Sequence, residues 1–263
     1  MVVSEGNGCP IKAIDLSGNI GLIAQKFIKK NHSTTIHLRN GKYVSLTHFD
    51  YDGNRISCQG LLSKYRPYTT LQFTSSKNEV PPIDQNFCNK FNLEPGMHIL
   101  ILISWDIDEK WIQEFSSWKK LCFLRIEVMC EENVETLVRK LLDLGRILHL
   151  SFSFCEKAEI KLGSEFLLQD QFLSLRYDTF NQESVEQMSS FTKAEELTGK
   201  TLKWKGYVRL HNDTFEKVDQ TDQWTRRYES KKRVVEYFNQ TGNLQMSDEE
   251  FMKEVTLTAE LFT

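Results

Sequence analysis

No apolar stretch in the chain approaches the roughly 18 to 20 residues that a membrane-spanning helix needs. The most apolar run, Ile99 to Trp105, is far shorter, so no membrane partner is expected. Neither charge is in excess. With 33 Lys and Arg against 36 Asp and Glu, the net charge is -3, and any attraction to nucleic acid or anionic lipid would need a local patch. The six cysteines, Cys9, Cys58, Cys88, Cys122, Cys130 and Cys155, form no C-x-x-C pair. That usage is expected of buried, reduced thiols in a cytoplasmic or nuclear protein, and it offers no zinc-ligand spacing. Met1 to Pro10 lacks the basic end, apolar run and small-residue cleavage site of a secretory signal. The sequons at Asn31, Asn212 and Asn239 are therefore read as chance.

Catalytic motifs are missing too. The six histidines are dispersed without an H-E-x-x-H motif, and neither a Gly-x-Ser-x-Gly elbow nor a glycine-rich phosphate loop occurs. The expectation is a non-enzymatic protein with no cofactor and no metal. Asp106, Asp108 and Glu109 make the densest acidic site beside an apolar strand, and they are read as a loop capping the helix that starts at Glu109. Cys155, with only Lys157 as a nearby cation, is read as a structural thiol rather than a nucleophile.

What the chain does have is 40% hydrophobic residues, enough for a core, in two alternating periods. Residues Asn19 to Lys30 place Ile20, Ile23, Ala24, Phe27 and Ile28 on one helical face. Thr35 to Leu46 reads as a hairpin, with Asn40-Gly41 supplying the positive-φ positions of its turn. Short strand-like runs then begin at Thr70, His98, Leu121, Ile147, Phe172 and Thr201, about 23 to 29 residues apart. Between them Glu109 to Trp118, Asn133 to Leu144 and Gln182 to Phe191 show helical spacing, with Asn181 as N-cap of the last.

Strand, helix, strand at such short intervals predicts an α/β protein. Its expected form is a degenerate leucine-rich-repeat-like stack, a curved and mainly parallel sheet with helices on one face. Beyond Leu210 two strands around Glu229 to Lys232 and a helix behind the capping box Ser247 to Glu250 are expected to close the stack. With weak seams near Pro67 and Pro81-Pro82, the expected organisation is one continuous body: residues 1–66 a helix and hairpin cap, 67–210 the repeat array, and 211–263 the C-terminal cap.

The opening NIGLIAQKFIKKNHSTTIHL, the chain of strand-helix units and the ending VVEYFNQTGNLQMSDEEFMKEV together resemble the region following the F-box in nematode F-box-associated proteins. The resemblance implies a protein-interaction module serving as a substrate-recognition arm of a ubiquitin ligase. Only Asn19 to Lys30 corresponds to the last F-box helix, so no adaptor-contact residue carries over and Skp-adaptor binding is not expected of this chain by itself.

If Leu124, Ile126, Leu150, Phe152, Leu173, Leu175 and Tyr177 face the helices, strand alternation turns their neighbours to the other side. That side then carries Arg125, Glu127, His149, Ser151, Ser153, Ser174, Arg176, Asp178, Lys203 and Lys205, the residues assigned to a protein partner. An alternative is nucleic-acid binding through Arg226, Arg227, Lys231, Lys232 and Arg233, interleaved with Trp224 and Tyr228. A solvated hairpin is the plainer reading of that segment, and nucleic acid is not the expected partner.

Overall fold

The computed structural model describes residues 33–39, 42–49, 55–56, 68–75, 80, 82–94, 96–103, 107–179, 194–210, 214–218, 223–242 and 245–263. The helices expected at 19–30 and 182–191, the Asn40-Gly41 turn, the Pro67 and Pro81 seams and Asp106 lie outside those residues. The chain forms two compact units, Met1–Phe123 and Leu124–Thr263, and the boundary falls within one strand.

In the first unit, β1 (Ser33–Arg39) and β2 (Lys42–Phe49) form the expected hairpin, closing on the pair Arg39 and Lys42. A register shift after His37 adds one residue to β2, the mark of a β-bulge. β3 (Arg55–Ile56) extends the hairpin antiparallel, whereas β4 (Tyr68–Thr74) lies parallel to β1 and β5 (Met97–Leu102) parallel to β4. Alternate residues of β4 and β5, among them Leu71, Phe73, His98 and Leu100, are buried. Two helices cover them: α1 (Gln85–Leu93), capped by the Asp84 carboxylate, and α2 (Glu109–Ser117), capped by Asp108 accepting from the Trp111 N–H. Phe73 meets Trp111 with ring centroids 4.9 Å apart, Phe91 meets His98 at 4.5 Å and Trp118 at 4.6 Å. Both helices therefore lie on the same face of the strands, locked by edge and tilted aromatic packing. Helix α1 is an addition to the sequence expectation.

In the second unit, β6 (Leu121–Ile126) is followed by α3 (Glu132–Asp143), β7 (His149–Phe152), α4 (Lys157–Leu167), β8 (Ser174–Tyr177), a 3-10 turn (Ala194–Leu197) and β9 (Thr201–Lys205). β7, β8 and β9 are parallel neighbours. Leu150, Phe152, Leu175, Tyr177, Leu202 and Trp204 are buried on the helix side. Helix α4, absent from the sequence expectation, comes unusually close. A Cβ at Gly163 would collide with Tyr177 Oη and Leu175 Cδ2, and Tyr177 donates its hydroxyl to the Glu159 carbonyl at 3.1 Å. Gly145, at φ 59° just past α3, ends that helix where only glycine turns left-handed without strain.

The rest of the second unit is antiparallel. β10 (Glu216–Lys217), β11 (Thr225–Glu229) and β12 (Arg233–Phe238) follow in order, and then α5 (Asp248–Lys253) starts at the Ser247/Glu250 capping box. β13 (Leu257–Phe262), which the sequence reading did not anticipate, inserts antiparallel between β9 and β12. Phe251 and Val255 from the α5 region pack with Phe215, Tyr228, Val235 and Tyr237. Register carries Tyr177 through Trp204, Thr258 and Tyr237 on one side of the sheet, so α5 sits on the same face as α4. The α/β reading holds in each unit: a run of parallel strands with helices on one face, flanked by antiparallel strands that in the second unit form the C-terminal hairpin with its helix.

Candidate functional site

Among the described residues no helix lies on the other face of the second unit's strands, and the register shows which side chains gather there. Ser151 pairs with Arg176 and Arg176 with Lys203, while His149 pairs with Ser174 and Ser174 with Thr201. Arg125 of β6 donates through Nη2 to Asp178 Oδ2 at 3.0 Å, and Arg176 Nε donates to Asp178 Oδ1 at 2.8 Å. Glu127 completes the chain of charges, with its Oε1 2.8 Å from Arg125 Nε. The strand order places β7 between β6 and β8, so Arg125 spans about 10 Å, two strand spacings, over β7 to reach Asp178. Only small side chains leave room beneath that arch, and Ser151 and Ser153 stand there.

The arch corrects one expectation. Ser151 is 0% exposed rather than solvent-facing, because the guanidinium groups of its neighbours lie above it. Leu173 departs in the opposite direction: expected against the helices, it is 45% exposed. It precedes β8 and donates its N–H to the Leu148 carbonyl at the strand's entry, before alternation begins. Of the remaining residues assigned to the face, Ser153 is half-buried and donates its N–H to the Ile126 carbonyl, and Lys205 is exposed at the end of β9. Nine of the ten residues thus reach the surface on one side of the strands, with Ser151 beneath them and Arg125, Glu127, Arg176 and Asp178 joined by ion pairs.

His149 Nδ1 lies 2.7 Å from Ser174 Oγ. Burial, reinforced by the Lys203 ammonium, lowers the imidazole from its ordinary 6.5 to about 4, so the ring is neutral near pH 7. A serine activated for acyl transfer instead needs a histidine whose protonated form is stabilised by a carboxylate. The adjacent lysine acts in the opposite sense, and this pair is better suited to a polar contact than to nucleophilic chemistry.

Other reactive residues have structural surroundings. Cys88 and Cys122 are buried, and burial pushes their thiols up to about 12 and about 11, with Glu114 adding to the effect at Cys88. Cys130 is also raised, by burial and then by Glu159, whose carboxylate accepts the Cys130 N–H. Such thiols are the reverse of an activated thiolate. Asn239 is fully buried and donates to the Phe251 carbonyl at 3.1 Å, which leaves no place for a glycan at that sequon.

The basic segment is largely paired within the fold. Arg226, 2% exposed, stacks over the Phe251 ring at 4.1 Å and donates to Asp248 Oδ1 and the Met246 carbonyl. Asp248 also binds Lys217. Burial alone would raise its carboxyl, but the bonds from Lys217 and Arg226 hold it below its ordinary value. Arg227 pairs with Glu229 and Glu236, and Arg233 with Glu260. Lys231 and Lys232 remain exposed at the hairpin turn.

Two features of the open face lay beyond sequence reasoning. Arg125 and Asp178 are 53 residues apart, so no local pattern joins them. β13 extends the face with Leu257, Ala259 and Leu261, registered against Lys205, Lys203 and Thr201. The chain matches no family model, no curated protein and no solved structure.

Proposed function

We propose that the protein is a non-enzymatic interaction module that binds a protein partner on the open strand face of its second unit, as a substrate-recognition arm of a ubiquitin ligase would. The observation that carries this reading is the Glu127–Arg125–Asp178–Arg176 chain of ion pairs arching over Ser151 and Ser153. It fixes long, otherwise mobile side chains in place before any partner arrives, and preorganisation reduces the entropy lost on binding. The ubiquitin-ligase part rests on the resemblance to F-box-associated proteins. The basic hairpin supports the nucleic-acid alternative less well, because Arg226, Arg227 and Arg233 are held by acids of the same fold.

The test is affinity purification of the full chain with identification of bound proteins, repeated with a photo-crosslinking residue at position 205, an exposed place on the same face, and, as a control, at position 232. Crosslinks to a shared protein set from 205 but not from 232 are the expected result. Recovery of ubiquitin-ligase components among them would support the finer assignment. Crosslinks from 232 alone, or salt-sensitive retention of nucleic acid in their place, would overturn the reading.

A further inference from the structure

The charges on the open face of the second unit do not balance locally. Among the described residues its carboxylates are paired: Glu127 with Arg125, Asp178 with both Arg125 and Arg176, and Glu229 and Glu236 with Arg227. Lys203 and Lys205, on the same face of β9, have no ion pair among the described residues. His149 beside Lys203 is neutral near pH 7, and part of its lowered basicity comes from that lysine, as expected where a positive field is uncancelled.

Alongside this cationic row runs an aliphatic one. Lys205 is in register with Leu257, Lys203 with Ala259 and Thr201 with Leu261, and both leucines are partly exposed. Two strands lie about 4.8 Å apart, and alternate residues of one strand about 6 to 7 Å apart. A ligand on this strip therefore meets two ammonium groups at that spacing, flanked at once by leucine side chains.

Resting on the interaction-module reading, the geometry points to an acidic, leucine-type protein segment as the occupant of the β9–β13 strip, its carboxylates on Lys203 and Lys205 and its aliphatic side chains on Leu257 and Leu261. Charge complementarity of this kind sets specificity and orientation. A polyphosphate fits less well, because it brings no apolar group to Leu257 and Leu261. An acidic segment carries its charges at intervals and brings apolar groups to the leucines.

Selection of a phage-displayed library of random linear peptides on the full chain tests the assignment. Selected sequences should be enriched in Asp and Glu together with Leu, Ile or Met. One such peptide, synthesised and labelled, should bind at least about tenfold more weakly to the Lys203→Glu/Lys205→Glu double variant, about 1.4 kcal/mol. Lys231→Glu/Lys232→Glu, which reverses the same charge at the hairpin turn, should leave binding within about twofold. Unchanged thermal melts establish that the variants fold. Should the double variant fail that check, Lys205→Gln alone, at an exposed position, must still show weaker and less salt-sensitive binding. Neutral or basic selected peptides, an empty selection, equal binding to the double variant, or preferential binding of a single-stranded oligonucleotide through the same lysines would each overturn the inference. If proteins still crosslink at position 205 while any of these holds, the module reading stands and only the acidic occupant is lost.

Discussion

The two faces of β7 and β8 are built from alternate residues of the same short strands, yet they do different work. On one side Leu150, Phe152, Leu175 and Tyr177 are sealed under helices. On the other, His149, Ser174, Arg176 and Asp178 meet through hydrogen bonds and ion pairs at or near the surface. Burying an aliphatic or aromatic side chain stabilises by roughly 1.5 to 3 kcal/mol. A partly exposed ion pair contributes about 0.2 to 1 kcal/mol. The comparison teaches that the fold depends on the first face, which leaves the second free to vary in composition and hence to be specific for a partner.

The largest expected effect falls on the covered face. Leu150→Ala removes a nearly inaccessible side chain and leaves a cavity, at a cost of about 2 to 5 kcal/mol, to be measured by denaturant melts. Gly163→Ala is next. The new methyl meets Tyr177 Oη and Leu175, and the overpacking costs about 1 to 3 kcal/mol. Combining it with Tyr177→Phe, which removes the colliding hydroxyl, should give a double-mutant loss smaller than the sum of the single losses. Strict additivity would mean that the close approach of α4 is not what glycine serves at position 163.

The open face should respond more to pH than to truncation. His149 carries a folded-state pKa of about 4 against an ordinary 6.5, so between those values the unfolded chain binds the extra proton. Its contribution to stability is complete above about pH 6.5 and is lost as the pH falls through about 4. His149→Gln should flatten the pH dependence of the melting temperature in that window relative to the parent chain. His98, lowered chiefly by burial, keeps a similar slope in both. The smallest effect belongs to Arg176→Ala, a half-exposed position, at about 0.5 kcal/mol or less. If Arg176→Ala and Leu150→Ala lose equal stability, the division between a structural and a free face fails.

How much of this was legible in the sequence depends on how far apart the deciding residues lie. Asn40-Gly41 announced a hairpin whose strands pair up to Arg39 and Lys42. Ser247 and Glu250 announced a helix start that the structure reproduces bond for bond. Helices α2 and α3 fall within a residue or so of the apolar spacing that suggested them. Helix α4 was missed because it is buried nearly all round, with Glu159, Gly163 and Ser164 inside alongside its apolar residues, which blurs the one-sided stripe. β13 was missed because six residues of mixed character take their identity from the two strands that flank them. The alternation rule correctly gathered the ten residues of the open face but not their order of burial, since the arch of Arg125 over Ser151 is a tertiary event.

The insertion of β13 between β9 and β12 bears on the order in which the chain can be completed. Synthesis runs from residue 1 upward, so β9 and the β11–β12 hairpin are both made before the strand that joins them. Until Phe262 has been released, β9 and β12 each present a bare edge of unpaired amides and carbonyls to the cell. Bare edges of this kind are templates for pairing with other chains. The second unit is therefore an assembly whose keystone is made after both strands it joins, and the interval before it emerges is when those two edges are most exposed to mispairing.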